Sequence, residues 1–391
     1  MKSHTKHLLY SIVFVTVLIS CKSPSDVKDQ TTGEDEVSYA EEQQQSLSYF
    51  NIYRGNNHSH TIYTWTHGAH RVKGISDLTD PTEFHPDWIV PPGMDYKDYN
   101  TISLDPEDYT NRQGLPDNHF ERAMNIGYDF YVISDHSQEP TLQPVSIDNP
   151  VWQVMQKTAD KYNDYPGFVA LSGFEYSRNT ADDGGRGHIN VIHSSEYVNA
   201  DHGQRGPAPP WPEANWSIPA FYNWLKSAET HGDEGFVVAG FNHPGPGQYN
   251  DWDHIDSVIV KLVSTFEIHT RYGPIRWDAY IRALNKGWRV SPIGVLDNHN
   301  LLNESENQLP PPTFVLAPEL TREAITRAMR QRRTFASWVE GNKTEIVWDP
   351  VIEDSSARYF LLRIYHNRDM TDDGDLKFHG STVSAPVWSG R

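Results

Sequence analysis

The stretch Phe50-Asn51-Ile52-Tyr53-Arg54-Gly55-Asn56-Asn57-His58-Ser59-His60-Thr61 reads as a short strand, residues 50–57, that ends on two histidines two positions apart. Side chains two apart in a strand point to the same side, so His58 and His60 project together from its C-terminal end. The pattern recurs along the chain. Ile133-Ser134-Asp135-His136 closes the run 128–134, and Glu175 closes 168–174. Asn242-His243-Pro244-Gly245 closes 236–241, Glu267 and His269 close 258–266, and Asp297 and His299 close 290–296. With 189–192 these make seven segments, each too short and too rich in β-branched or aromatic residues for a core helix.

Amphipathic stretches lie between them at 151–162, 218–230 after Ser217, 277–286, and 322–332 after Thr321. Strands alternating with helices predict a parallel α/β barrel over residues 49–342, in which the C-terminal strand ends converge on one mouth. Segments 63–119 and 194–216, rich in Pro, Gly, Asp and Trp, are expected to be loops over that mouth. From 343 to 391 the chain has one clear strand, 359–365, and is expected to form a small β appendage.

Across 391 residues, 33 basic side chains face 52 acidic ones, a net charge of −19. Such a surface repels phosphate backbones and anionic lipid, which argues against nucleic-acid partners. The single cysteine, Cys21, excludes a disulfide framework, thiolate zinc sites and cysteine catalysis in the folded part. Any metal is therefore held by nitrogen and oxygen. Lys2 and Lys6 precede an apolar run from Leu8 to Ile19, about a dozen residues against the roughly twenty that span a bilayer, so this reads as an export signal. Leu18-Ile19-Ser20-Cys21 resembles a bacterial lipobox. The expectation is a signal peptide over 1–20, a lipid anchor on Cys21, and a solvated tether over 21–48. This describes an exported lipoprotein of the outer membrane, facing the periplasm or the cell surface; an ordinary secretory signal with a chance cysteine is the alternative.

Neutral imidazoles and carboxylates from six strand ends make a fitting shell for two or three divalent ions such as Zn, Mn or Fe, with bridging carboxylates between them. Taken in order, Asn57-His58-Ser59-His60-Thr61, Ile133-Ser134-Asp135-His136, Gly173-Phe174-Glu175, Gly187-His188-Ile189-Asn190, Asn242-His243-Pro244 and Leu296-Asp297-Asn298-His299 resemble the ordered motifs of the PHP superfamily. More narrowly they resemble its exported DUF3604-like and CehA-like branch, over roughly residues 50 to 340. The resemblance implies a distorted (β/α)7 barrel with a two- or three-metal site. It gives His58, His60, Glu175 and Asp297 to one ion, and His67 (or His70 in the same loop), His136 and His299 to a second. His188, which begins a strand, and His243 serve a third, with Glu175 bridging. Asp135, Glu267 and His269 then become supporting or substrate contacts.

For the family, the resemblance implies hydrolysis of phosphoesters. Three features of this chain point to an anionic oligosaccharide instead: the envelope address, aromatics in the expected mouth loops (Trp65, Trp88, Trp211, Trp216, Tyr249, Trp252), and arginines near the motifs (Arg186, Arg205, Arg271, Arg276). On a terminal uronic acid, a metal hydroxide, His269 or Tyr272 would serve as the base in a dehydration, a lyase reaction giving an unsaturated uronate. Arg186, Arg271, Arg276 and Trp65 are the expected substrate contacts. Asp135 is counted with His269 and Tyr272 among the candidate catalytic groups. A glycan-binding lipoprotein that does no chemistry is the remaining alternative.

Overall fold

The computed structural model describes residues 50–61, 63–64, 114–139, 142, 145–164, 166–178, 185–200, 217–227, 237–270, 276–299 and 312–339, together with the backbone of five strands between 347 and 388. The export signal, Cys21 and the tether lie outside the described residues. So do Trp65, His67, His70, Trp88, Arg205, Trp211, Trp216, Arg271 and Tyr272.

β1 (Asn51–Asn56), β2 (Phe130–His136) and β3 (Val169–Arg178) pair in parallel, and the β2–β3 register runs without a break from Phe130 opposite Val169 to His136 opposite Glu175. β4 (Gly187–Ile192) is antiparallel to both β3 and β5 (Val238–Asn242), after which β6 (Val263–Thr270) and β7 (Ser291–Val295) are parallel again. β8 (Thr313–Ala317) pairs antiparallel with β1 and with β9 (Thr334–Val339). The order β9-β8-β1-β2-β3-β4-β5-β6-β7 curls into a nearly closed, barrel-like sheet of nine strands. Thr313 Oγ1 donates to Gly294 O at 2.7 Å and Thr334 Oγ1 lies 2.6 Å from Ser291 Oγ, which ties β8 and β9 to β7. At the other end, Asp297 N donates to His58 O (3.0 Å) and His60 N to Asn298 O (2.9 Å).

All seven expected strands are present in a mixed α/β fold, but the all-parallel arrangement is corrected. The chain from Arg178 to Gly187 is too short for a crossover, which takes a dozen or more residues, so β3 and β4 form a hairpin. For the same reason β3 continues past Glu175 to Arg178 and does not end on it. The run expected as one strand over 258–266 is also divided. Asp256 Oδ1 accepts from the backbone N of Val258 and Ile259 at 2.9 Å each, starting the helical turn α4 (Ile259–Leu262) before β6 begins.

α1 (Pro116–Asn125), α2 (Pro150–Tyr162) and α3 (Ile218–Ser227) precede α4, and α5 (Trp277–Asn285) and α6 (Arg322–Arg330) follow it. Thr321 Oγ1 accepts from Ala324 N at 3.1 Å, and Ser217 Oγ from Ala220 N at the same distance; both satisfy free N–H groups at helix starts. α1 was not anticipated. Its apolar positions Pro116, Phe120 and Ala123 follow the helical period, and its first turn overlaps the end of the segment 63–119 expected as a loop. Among the described residues no helix is long and apolar enough to cross a membrane.

Strand parity positions the site. Phe130 and Val132 of β2, Val169 and Leu171 of β3, Ile192 of β4 and Val238 of β5 form one apolar layer with Ala324, Ile325, Ala328 and Met329 of α6. Continuing each strand by twos leads to His136, Glu175, His188 and Asn242. The inward face is thus apolar at the α6 end and rich in ligand atoms at the mouth. Gly173 sits between the two regions, where a Cβ would come within 2.1 Å of Val191 O. Beyond β9 the sheet continues through β10 (Val347–Trp348), β12 (Arg363–Met370) and β13 (Leu376–Val383), with β13 antiparallel to β9. β11 (Tyr359–Phe360) and β14 (Val387–Trp388) form a separate two-stranded ribbon.

Candidate metal centre

Eight of the ligand candidates meet at the mouth. Three overlapping groups each bring their ligand atoms within 4.8 Å of one another: His58, His60 and Asp297; His60, His136 and His299; and His136, Glu175 and His188. His243 joins through Nε2, 3.5 Å from Glu175 Oε1. His188 reaches the cluster because β4 is antiparallel, so the start of that strand lies beside the ends of its neighbours. His60 and His136 each stand in two groups, a partition different from the one the family resemblance implies.

Glu175 is the centre. Its Oε2 lies 2.6 Å from His136 Nε2, and its Oε1 lies 3.0 Å from His188 Nδ1 and accepts from Asn242 Nδ2 at 2.7 Å. His58 Nε2 and His60 Nε2 are each 3.6 Å from this carboxylate. Burial opposes its ionisation, but His188, His136 and His58 hold its pKa well below the ordinary value. His58 and Asp297 are tuned by the same competition. Burial would lower His58, yet Glu267, Asp297 and Glu175 raise it, while Asp297, which burial would raise, is held low chiefly by His58 and His60. His136 is carried up to about 9, because the carboxylates of Glu175 and Glu139 outweigh its burial. His299 is pushed down to about 4 by burial.

These residues fit bound cations. Glu267 Oε1 is 2.7 Å from His58 Nδ1, which places the ring proton there and leaves Nε2 as a lone pair. That lone pair faces His60 Nε2 at 2.9 Å and Asp297 Oδ1 at 3.5 Å. Buried Glu175 Oε2 likewise takes no well-formed hydrogen bond, despite the nearness of His136. Several lone pairs turned on one small volume repel one another unless a cation lies among them. His243 and Asp297 hold positive φ angles of 29° and 47°. Non-glycine residues rarely adopt this conformation, and here both sit where a strand end must turn its side chain into the cluster.

The cluster is open on one side. Asp297, His243 and His299 keep 21%, 22% and 23% of their side-chain surface exposed, whereas His58, His60 and Glu175 are at 0 to 1%. Of the other sequence candidates, Asp135 is engaged by the loop after β1. Its carboxylate accepts from Thr61 N (2.8 Å), Thr61 Oγ1 (2.9 Å) and Thr64 Oγ1 (2.7 Å), and burial raises its pKa to about 6. Glu267 clasps His58 and also accepts from His243 N at 2.6 Å. A register shift in β6 between Glu267 and His269 breaks their expected pairing on one side; His269 is buried and in none of the three ligand groups. Arg186 is exposed just before β4, and half-buried Arg276 leads into α5.

Two expected mouth aromatics are corrected. Tyr249 and Trp252 are buried, stacked on each other at 4.7 Å and packed on Phe241, because the short 3-10 turn after β5 folds them into the core. Sequence reasoning missed Glu139, whose Oε1 is 3.5 Å from His136 Nδ1, and also Thr64 and Asn242. The spacing of His136 and Glu139, three apart just past a strand, was the available signal.

Residues 136–244 match the family model DUF3604, described as a protein of unknown function. No curated protein matches the chain. Among solved structures, a two-domain protein containing a predicted PHP-like metal-dependent phosphoesterase from Bacteroides vulgatus ATCC 8482 is similar at 15% identity and a TM-score of 0.45, over 87% of this chain and 88% of that chain. The family match begins on His136 and ends just past His243, with Glu175 and His188 between them.

Proposed function

We propose that this chain is a metal-dependent enzyme whose substrate brings an anionic group to the open side of the cluster, and that its preferred reaction removes water from the terminal uronic acid of an oligosaccharide. The observation that carries the metal-dependent reading is the convergence of His58 Nε2, His60 Nε2, His136 Nε2 and the two oxygens of Glu175 on one buried volume. When bound, divalent ions supply Lewis acidity, stabilising negative charge on a substrate oxygen. Glu175, Asp297, Glu267 and Glu139 bring four carboxylates to the imidazoles, fewer negative charges than three divalent ions bring positive ones. The loaded mouth then attracts anions within an otherwise acidic protein.

In the dehydration, the C5 proton is removed and its electron pair forms the C4–C5 double bond, while the C4 hydroxyl takes a proton and departs as water. No oxidant or reductant is needed. Asp297, His243 and His299 border the side from which the sugar enters. The supports for a sugar substrate are the export signal, the remaining loop aromatics Trp65, Trp88, Trp211 and Trp216, and the arginines, all read from the sequence. Hydrolysis of phosphoesters is the second reading, favoured by the donor set itself: histidines and carboxylates holding clustered ions are what the resemblance to PHP enzymes implies.

One experiment separates them. Metal-loaded protein is incubated with a panel of uronate-terminated oligosaccharides and phosphoesters, following the ultraviolet band of a conjugated double bond, product mass and phosphate release. A product lighter by one water with the new band, and without chain cleavage, is expected. Phosphate release with no band on any uronate would replace the lyase by the hydrolase, and silence in both channels from fully loaded protein would favour a glycan-binding role.

A further inference from the structure

The hydroxyl of Thr64 has three partners and one proton. It lies 2.7 Å from Asp135 Oδ1, 3.1 Å from His136 N and 3.3 Å from His60 Nδ1. Asp135 also takes Thr61 N and Thr61 Oγ1, so as a carboxylate it is filled with donors and can only accept. The Thr64 proton therefore goes to Asp135. The backbone N–H of His136 is a fixed donor and takes one lone pair of the hydroxyl. The remaining lone pair faces His60 Nδ1, and the contact is a hydrogen bond only if that nitrogen carries the imidazole proton.

We propose that Thr64 is a positioning residue that fixes the tautomer of His60: with its proton committed to Asp135, it holds His60 protonated at Nδ1 and presents Nε2 as a lone pair to the cluster. The proposal rests on the metal-dependent reading of the site and deepens it. Glu267 does for His58 what the Thr64 hydroxyl does for His60, so the two imidazoles that face each other at 2.9 Å are both held as Nε2 ligands by buried partners. The same hydroxyl anchors His136 N, linking the residues after β1 to the end of β2.

The test uses the full chain with Thr64→Val, which keeps shape and removes the hydroxyl, and Thr64→Ser, which restores it. Zn²⁺ affinity is measured by chelator competition, and the His60 tautomer is read from ¹⁵N ring shifts of the metal-free protein. Wild type should show His60 protonated at Nδ1. Thr64→Val should lose that single signature and bind the ion about 10–100-fold more weakly, and Thr64→Ser should recover both. An unchanged tautomer and affinity in a folded Thr64→Val, or no recovery in a folded Thr64→Ser, overturns the proposal. Failure of wild type to bind Zn²⁺ would instead overturn the metal-dependent reading beneath it.

Discussion

Glu267 holds His58 from within the barrel: its Oε1 takes the imidazole Nδ1 proton at 2.7 Å while its Oε2 takes the backbone N–H of His243 at 2.6 Å. One carboxylate thus serves the ligand end of β1 and the residue following β5, and it needs both oxygens as acceptors. Glu267→Gln has only one acceptor oxygen, so one of these donors must face an amide NH₂. Leaving a buried donor unpaired costs about 1–3 kcal/mol, and loss of the outer partner of a ligating histidine weakens metal binding by about 10–100-fold. Thermal melts and metal competition on the same sample check both. Retention of wild-type affinity would show that the clasp does not orient His58.

Glu175 touches more of the cluster than any other side chain, so Glu175→Ala should be the most damaging ligand change. Metal content should fall below that of a Glu267 variant and turnover by orders of magnitude, because one carboxylate both neutralises and spaces neighbouring ions. Elemental analysis after reconstitution is the direct check. Near-normal metal content would remove Glu175 from its central place.

The sequence pattern shows strand positions well because it depends on local chemistry: short β-branched runs closed by His, Asp or Glu. Strand direction is not local. β4 looks like its neighbours in composition, and only the short link from Arg178 to Gly187 forces it to return antiparallel. That reversal explains why His188 begins its strand yet stands beside Glu175, which lies near the end of its own. The supporting residues were harder to see. Thr64 and Asn242 are ordinary polar residues whose roles arise from contacts across the barrel, and Tyr249 and Trp252 look like loop aromatics until the turn that buries them is known. Glu267 and His269 show the limit of alternation, since a shift of register between them breaks the period of two.

Gly173 should tolerate no side chain. An added Cβ would lie 2.1 Å from Val191 O, a backbone atom of the paired strand that has no rotamer to escape into. Gly173→Ala must therefore open the β3–β4 pairing beside Glu175, at a cost of about 1–3 kcal/mol or more. A lowered melting temperature should be accompanied by reduced metal content, because Glu175 is two residues away on the same face. Loss of stability with full metal content would show that the hairpin can shift without moving the carboxylate.

Metal loading should expel protons. In the metal-free protein His136 is carried to about 9, so this imidazole is protonated at pH 7.5, whereas a ligating nitrogen must be bare. Titrating in buffers of different ionisation enthalpy should reveal release of about one proton per chain as the site fills. The same shifts set the stability of the metal-free form. A histidine raised from 6.5 to about 9 contributes fully below pH 6.5, and that contribution is lost as pH rises to about 9. His299, lowered to about 4, acts in the opposite sense: its contribution is present above pH 6.5 and is lost as pH falls to about 4. The metal-free melting temperature should therefore decline on both sides of a slightly acid to neutral optimum. With metal bound, the alkaline decline should disappear, because the cation takes over from the imidazolium protons in neutralising Glu175. A metal-free protein whose melting temperature rises steadily from pH 6.5 to 9 would show that Glu175 does not hold a proton on His136, and the predicted proton release would fail with it.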